Sequence, residues 1–383
     1  MNKNISKQRA RIAVGCFFFL QGLSFASWAA RIPAIQEKLH LTEAETGTAL
    51  FALPIASTLS MPFVAWLVAK HGSARILLGG IFVNAFMLLG LGMANSLFQL
   101  ALCLFIYGFS GNSINVSLNT QAVSVENHYQ KSIMASFHGL WSLAGFVGAS
   151  IASVFIANHI QPLPHFIVIF SFACFVLMLN RSATLPDIKH ERPNQKKNIF
   201  PRGYLLGLGC IAFCSMACEG AMFDWGGIYF KKVVAVEPAW VNAGYTAFMS
   251  TMATARFFAD RLLQRFGFTR MVQASGILTT AGYLLAICFP SFYPALLGFF
   301  MVGAGVSAVV PLVFSEAGKS KQMSSSAAIA AVSTLGFLGF LLGPPMIGWV
   351  AELSSLRVSF AIITLAGVIM IFLPNQLRNL TKS

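Results

Sequence analysis

One carboxylate in a long apolar stretch is the residue of this sequence best placed to do chemistry. Glu219 lies about 15 residues into the apolar run 204–230, so a helix would place it roughly 22 Å from the start of that run. A carboxylate among apolar side chains is costly unless it is paired or protonated. Such a group can take up and release a proton, which makes Glu219 a candidate proton-coupling and substrate-binding residue. The alternative is a protonated structural acid that donates one hydrogen bond.

A row of amides in the apolar run 97–122 is the second candidate. Asn112, Asn115 and Asn119 follow Gly108 at helical spacings, so these positions fall on one side of a helix. Amides offer both donors and acceptors, which suits a hydroxylated ligand. The alternative is that the amides bond neighbouring helices. Three of them on one side favour a ligand-binding surface.

Two smaller sets of polar and aromatic residues also share a helix side. Gln21, Ser24 and Trp28 form the first set, and Gln21 falls near the middle of its apolar run. His138 and Trp141 form the second set, at positions i and i+3. We interpret Gln21, His138 and Trp141 as substrate-binding candidates, because an aromatic ring can stack on a sugar and a histidine can exchange a proton. A neutral core histidine and an interfacial Trp28 are the alternatives.

Catalytic and metal chemistry is not expected. All seven Cys residues lie in apolar runs and are typical of small packing residues. Cys210, Cys214 and Cys218 share one helix side, but no His accompanies them, so a zinc site is not expected. We see no pairing of a nucleophile with a base, and we expect neither a cofactor nor enzymatic activity.

The composition requires a membrane around the chain. Hydrophobic residues make up 56% of the 383 residues and charged residues only 10%. A soluble domain carries about 25% charged residues, because its surface must be hydrated. Continuous apolar runs predict a helical bundle, whereas a transmembrane barrel would show apolar and polar residues in alternation. The formal charge of +14 lies in short clusters between the runs, which indicates contact with membrane lipids and not with nucleic acid.

Runs long enough to cross a bilayer occur twelve times, six on each side of a polar stretch. They lie near 12–35, 44–69, 75–94, 97–122, 131–157, 163–181, 204–230, 238–262, 270–289, 293–316, 324–351 and 356–374. We therefore predict an all-α membrane protein with twelve transmembrane helices. Its parts are an amino-terminal six-helix half (1–181), a cytoplasmic central linker (182–203) and a carboxy-terminal six-helix half (204–383).

The distribution of Lys and Arg predicts the orientation. Most of these residues lie at the termini, in the linker and in the connections after every second run. Positively charged residues are retained in the cytoplasm, so both termini are expected there. The sequence thus predicts a multi-pass protein of the cytoplasmic membrane.

The two halves contain an internal repeat at a constant shift of 195 residues. Matching pairs are Gly72 with Gly267, Arg75 with Arg270, Gly108 with Gly303, Ala122 with Ala317, and Gly148 with Gly343. Each match alone is weak, but a register kept from the second run to the fifth indicates duplication. Parallel six-helix repeats predict a cavity between the halves and alternating access around it.

A loop motif at the end of the eighth run provides a specific resemblance. The stretch 255–267 (ARFFADRLLQRFG) resembles the inter-helix motif of the major facilitator superfamily. The first half keeps Gly72 and Arg75 of this motif but has Ala69 where an acidic residue belongs. Together with the order of spans and the central loop, the resemblance covers essentially the whole chain. It implies a transporter that takes a small-molecule substrate, and we expect a monomer.

Two further strings resemble one subgroup of the superfamily. The segments 27–33 (SWAARIP) and 219–225 (EGAMFDW) are similar to the MosC/YbjJ-like membrane proteins. This resemblance implies polar substrates of the size of a sugar.

Five charged residues are predicted to act in gating. Arg256 and Asp260 lie four residues apart and can pair, and with Arg261 they match the region that the resemblance assigns to a cytoplasmic latch. Neither Arg256 nor Asp260 is expected to contact substrate. At the shift of 195, Arg31 falls two residues from Asp224, so these two charges are predicted to pair as an outer gate. The alternatives are a neutralised pair at a helix end and two solvated charges at the membrane edge.

These features predict a secondary active transporter that moves a small polar solute (a sugar, cyclitol or amino derivative) and is coupled to protons. A proton-driven efflux pump for drugs or metabolites is one alternative, although the amide row favours a hydroxylated ligand. A membrane sensor with a transporter fold that no longer cycles is the other, because the acidic residue is missing at Ala69.

Overall fold

The chain folds into helices that form two compact units. The structure, a computed structural model, describes residues 6–129, 133–185, 203–320 and 325–380. The units are Met1–His190, called the first half below, and Glu191–Ser383, the second half. The predicted linker 182–203 lies mostly outside the described residues, so its bounds stay a prediction.

The first half contains six long helices and one short one. In chain order they are α1 (Lys7–Ala29), α2 (Ile32–Lys38), α3 (Glu43–His71), α4 (Ser73–Met93), α5 (Leu97–Tyr129), α6 (Met134–Ala157) and α7 (Pro162–Asn180). The predicted first run 12–35 is thus divided between α1 and the short α2. A capping box starts α3: the backbone N–H of Glu45 donates to Thr42 Oγ1, and the N–H of Thr42 donates to Glu45 Oε2.

The second half repeats this pattern with different interruptions. Its helices are α8 (Tyr204–Tyr229), α9 (Ala243–Cys288), α10 (Phe292–Val306), α11 (Val309–Ala317), α12 (Ser325–Leu353) and α13 (Leu356–Leu380). A non-helical Gly267 divides α9 into two parts, which correspond to the predicted eighth and ninth spans. The helices α10 and α11 together form the predicted tenth span, with a break at residues 307–308.

The helices have the length and composition of membrane spans. Among the described residues, 11 helical stretches are long and apolar enough to cross a bilayer. The remaining predicted span is the part of α9 before Gly267, whose Arg256 and Asp260 make it more polar. Many large apolar side chains are exposed, such as Phe98 at 75% and Phe372 at 62%, as expected for helices that face lipid. The predicted all-α, multi-pass fold is confirmed.

Two glycines with the same unusual backbone confirm the internal repeat. Gly72 joins α3 to α4 with a φ of 86°, and Gly267 joins the two parts of α9 with a φ of 76°. Residues with a side chain rarely adopt these angles, so glycine is required at both turns. The positions are 195 residues apart, as the sequence predicted.

A helix crossing is repeated at the same shift. In the first half, a Cβ atom on Gly108 would collide with the carbonyl oxygen of Leu53, so α5 lies directly against α3. In the second half, Gly303 lies in the same way against the carbonyl of Phe248. Both members of the contact are shifted by 195 residues. The two halves therefore repeat a packing geometry and not only a pattern of small residues.

Candidate functional site

Each half contains its own candidate residues. In the first half, several of them lie where α1 packs against α6. A Cβ on Gly22 would collide with the carbonyl of Trp141, so the two helices touch at this level. The Phe25 and Trp141 rings lie 6.2 Å apart, and Phe18 and His138 lie 5.2 Å apart. Gln21 follows Phe18 by three residues and precedes Phe25 by four, so the three share one side of α1. Because Phe18 and Phe25 contact α6, this is the side of α1 that meets His138 and Trp141. We call Gln21, Phe25, His138 and Trp141 the α1–α6 face.

The α1–α6 face is accessible in part. His138 is exposed, whereas Gln21, Phe25 and Trp141 are half-buried. An amide, an imidazole and an indole on one surface can together hydrogen-bond and stack on a small polar ring. The structure thus groups three of the predicted binding residues.

Two residues predicted beside Gln21 face the interior of the first half instead. Trp28 is buried, and Ser24 Oγ bonds Asn84 Oδ1 (2.9 Å) and Tyr107 Oη (3.0 Å). Asn84 Nδ2 also donates to the carbonyl of Tyr107 at 3.1 Å. This buried network joins α1 to α4 and α5, so Ser24 serves helix packing. Asn84 and Tyr107 were not predicted, although a single Asn within an apolar run is a signal that could have pointed to Asn84.

The row of amides on α5 divides into two parts. Asn112 is buried, and its Nδ2 donates to Ser60 Oγ of α3 at 2.8 Å. Asn119 Nδ2 donates to Asn115 Oδ1 at 2.8 Å, and Asn115 is exposed. Asn112 thus bonds a neighbouring helix, which was the alternative in the sequence analysis. Asn115 and Asn119 remain available as an adjacent pair of amides.

Glu219 and Arg256 are the charged candidates inside the second half. Glu219 is half-buried on α8, and Arg256 of α9 interacts with it electrostatically. The Arg256 Nε also donates to the carbonyl oxygen of Ser307 at 3.2 Å. The Asp260 side chain, which was predicted to pair with Arg256, lies outside the described residues, and Arg261 is exposed. The interaction between Glu219 and Arg256 was not predicted from the sequence.

Arg31 and Asp224, the predicted outer gate, are both buried. Arg31 is 2% exposed, and its Nε donates to Nδ1 of the buried His165 at 3.3 Å. Asp224 on α8 is 9% exposed and has no hydrogen-bond partner among the described residues of the second half. His165 was not predicted, although it is a single histidine in the sixth apolar run. Neither charge is simply solvated at the membrane edge.

Metal binding finds no support among these residues. Within the part of the chain that the structure describes, no group of three or more His, Cys, Asp or Glu side chains could hold a metal ion. Cys214 and Cys218 are buried on α8, and Cys210 is exposed one turn earlier.

Comparisons with known sequences agree with this architecture. A family model described as Major Facilitator Superfamily matches residues 14–320 and 238–379. The chain is 32% identical over 348 residues to an uncharacterised MFS-type transporter of Yersinia pestis. This match covers 91% of this chain and 90% of the relative. It is also 27% identical over 370 residues to the membrane protein MosC of Rhizobium meliloti, with 97% and 90% covered.

A solved structure shows the same fold. A mutant of the nucleoside transporter NupG superposes with a TM-score of 0.79 at 14% sequence identity, and the match covers 96% of this chain and 99% of that one. At this identity the likeness concerns the fold alone. The family match over most of the chain and the MFS-type relative show a multi-pass membrane transporter and not an enzyme. The chain therefore belongs to the Major Facilitator Superfamily, whose members of this kind move small solutes across membranes.

Proposed function

We propose that this protein is a proton-coupled secondary transporter of the cytoplasmic membrane. It moves a small polar solute (a sugar, cyclitol or amino derivative) by alternating access, with both termini in the cytoplasm. The observation that carries this proposal is Glu219, a half-buried acid on the membrane helix α8, which carries only one other charged residue, Asp224.

Glu219 has the properties that proton coupling requires. Its surroundings on α8 are apolar, so the charged carboxylate is stable only while an opposite charge compensates it. Arg256 supplies that charge from α9. The balance between charged and protonated Glu219 therefore depends on its immediate neighbours, which is how one proton can be linked to one conformational change.

The α1–α6 face and the pair Asn115–Asn119 supply suitable groups for a polar solute. Amides donate to and accept from hydroxyl groups, and Trp141 offers a flat surface for a ring. These residues favour a hydroxylated solute over an amphipathic drug, because a binding site for such a drug would contain few polar groups. Asn112 is a weaker candidate, since its amide already bonds Ser60.

The gating residues stay part of the proposal. Arg31 and Asp224 are proposed to pair as an outer gate, and Arg256, Asp260 and Arg261 to form the cytoplasmic latch. The surroundings of Arg31 support its assignment to the outer gate. Its guanidinium is always charged, and the neutral imidazole of His165 compensates that charge only in part.

Transport in liposomes tests the proposal. Purified protein is reconstituted, and two activities are measured with labelled glucose, myo-inositol and glucosamine: accumulation driven by a proton gradient, and counterflow exchange without a gradient. Glu219→Gln should abolish accumulation and keep counterflow. Glu237→Gln, the same chemical change at an exposed acid between α8 and α9, serves as the control and should keep both.

The same experiment separates the alternatives. Loss of both activities in Glu219→Gln, or of neither, removes Glu219 from proton coupling. Proton-driven transport of ethidium but of none of the polar solutes would favour drug efflux. Binding of a solute without counterflow would favour a membrane sensor.

A further inference from the structure

The end of α1 is followed by a buried arginine that meets no opposite charge within the first half. Arg31 lies two residues after α1, and its Nε donates to Nδ1 of the buried His165 at 3.3 Å. Among the described residues of the first half, His165 is the side chain that bonds Arg31. An imidazole that accepts at Nδ1 is neutral, so His165 orients the guanidinium but does not neutralise it. A buried charge is unfavourable without an opposite charge, so Arg31 requires a further partner.

Two donors beside this hydrogen bond are buried and have no partner among the described residues. One is Arg31 Nη2, and the other is His165 Nε2, which carries the proton of the neutral ring. Each of these donors is separated by one carbon atom from a nitrogen of the bond between Arg31 Nε and His165 Nδ1. An ion that lies beside this bond is therefore close to both donors.

Trp28 adds a third donor to this group. The backbone N–H of Arg31 donates to the carbonyl of Trp28 at 2.9 Å, so the two residues belong to one helical turn. Trp28 is buried, and its indole Nε1 has no partner in the part of the chain that the structure describes. The hydroxyl of Ser27, one residue earlier, is also buried without a partner there. The guanidinium, the indole and the imidazole Nε2–H donate and do not accept, so a group that satisfies them must be an acceptor.

The surroundings restrict this acceptor to a small one. The rings of Phe155 and Phe166 lie close to that of His165, with centroid distances of 4.9 and 5.6 Å. Arg31, His165 and Trp28 are all buried, so a solute of the size of a sugar has no room among them. A monatomic ion needs little space. A water molecule would also accept hydrogen bonds, but it would not bring a negative charge to Arg31.

We propose that Arg31, His165 and Trp28 bind a small inorganic anion such as chloride. The anion accepts from Arg31 Nη2, His165 Nε2 and Trp28 Nε1, and it supplies the negative charge that the neutral imidazole lacks. The neighbouring rings of Phe155 and Phe166 keep the surroundings apolar, which strengthens the attraction between the ion and the guanidinium. This inference goes beyond the proposed transport function and does not depend on which solute is carried.

The anion is an alternative to Asp224 in the proposed outer gate, and this consequence rests on that proposal. Arg31 needs one counter-charge, so chloride and Asp224 compete for it, and chloride favours the state in which the gate is broken. A cysteine placed in the outer vestibule should therefore be labelled faster in chloride than in gluconate. Equal labelling in protein that binds chloride would argue against the gate, whereas a lack of chloride binding removes the anion site.

Exchange of the anion tests the site on the unmodified protein. The melting temperature of the purified full-length protein is measured in detergent while sodium gluconate is replaced by sodium chloride or sodium bromide at constant ionic strength. Gluconate is the reference, because it is too large for the site. We expect chloride and bromide to raise the melting temperature with the logarithmic dependence on concentration of a ligand that binds the folded state. No rise, or a rise that is linear in concentration as for a general salt effect, overturns the inference.

Two variants and one control locate the effect. Arg31→Gln should weaken chloride binding at least 10-fold, because it removes the charge, and Trp28→Phe should weaken it roughly 3- to 10-fold, because it removes one N–H donor and keeps a ring. Arg181→Gln makes the same chemical change at an exposed arginine directly after α7 and should leave chloride binding unchanged. An unchanged response to chloride in Arg31→Gln or Trp28→Phe, or an equal loss in Arg181→Gln, contradicts the assignment.

Bromide also locates the site without any variant. Its anomalous X-ray scattering distinguishes it from water, and a crystal of the unmodified protein soaked in sodium bromide should show an anomalous peak in contact with Arg31 Nη2 and His165 Nε2. Density at this position without an anomalous signal would identify water as the partner of the donors and overturn the inference.

Discussion

Arg31 and His165 form a buried hydrogen bond in which the guanidinium Nε donates to the imidazole Nδ1 over 3.3 Å. Because Nδ1 accepts, the imidazole must be neutral with its proton on Nε2. Arg31 Nη2 and His165 Nε2 are buried, and neither has a partner among the described residues of the first half. His165 in the first turn of α7 thus holds a charged residue that lies between α1 and α2.

The first prediction concerns the stability of this pair. His165→Leu should lower the free energy of unfolding by about 1–3 kcal/mol, because it leaves the Arg31 guanidinium buried without an acceptor. In the double variant Arg31→Leu/His165→Leu, no charge remains buried, so its loss should be smaller than the sum of the single losses. Thermal or chemical denaturation in detergent measures this. Strictly additive losses would show that the hydrogen bond does not matter.

The second prediction concerns the two repeated helix crossings. Gly108→Ala and Gly303→Ala should each destabilise their half by more than 1 kcal/mol (an order-of-magnitude estimate), because the new Cβ meets a backbone carbonyl that cannot move easily. Gly79→Ala on α4 is the control. It has open space around its Cβ position and should be neutral or stabilising by about 0.5–1 kcal/mol. The melting temperatures of the three variants test this prediction. Equal changes in melting temperature at all three sites would contradict the close helix crossings at Gly108 and Gly303.

The third prediction is the outer gate. Arg31→Ala and Asp224→Ala should each shift the protein toward its outward-facing state, measured as faster labelling of a cysteine placed in the outer vestibule. The bias of such a pair is typically about 1–3 kcal/mol. The swapped variant Arg31→Asp/Asp224→Arg should restore labelling to the original rate. Because Arg31 is also held by His165, labelling of His165→Leu should be measured alongside, and additive defects in the swapped variant would rule out pairing.

The fold was predictable from the sequence because its signals are long and redundant. Apolar runs of some twenty residues define membrane helices almost by themselves. Glycines such as Gly72 and Gly267 identified the repeat because backbone geometry permits no other residue there. The breaks within spans were not predicted. The break between α10 and α11 lies at Ser307 and Ala308, where Pro311 offers no N–H to the carbonyl of Ser307 four residues earlier.

The candidate site was predictable only in part, because helical periodicity locates a side of a helix but not what lies against it. Gln21 and Ser24 are three residues apart, yet Gln21 belongs to the α1–α6 face while Ser24 bonds Asn84 and Tyr107. Similarly, the interaction of Arg256 with Glu219 depends on how α8 and α9 pack. No local pattern in one helix contains that information.

The last prediction separates the two parts of the amide row on α5. Asn112→Leu should destabilise the first half by about 1–2 kcal/mol, because it removes the hydrogen bond to the buried Ser60 of α3 and leaves that hydroxyl without this donor. Asn115→Leu should leave the melting temperature nearly unchanged, since Asn115 is exposed, and should weaken binding of hydroxylated solutes. Asn119→Leu should behave like Asn115→Leu, because its amide bonds only within the same helix. The measurement pairs melting temperature with solute affinity for each variant. If Asn115→Leu and Asn119→Leu cause misfolding while affinity is unchanged in the protein that survives, these amides serve helix packing and the binding assignment is wrong.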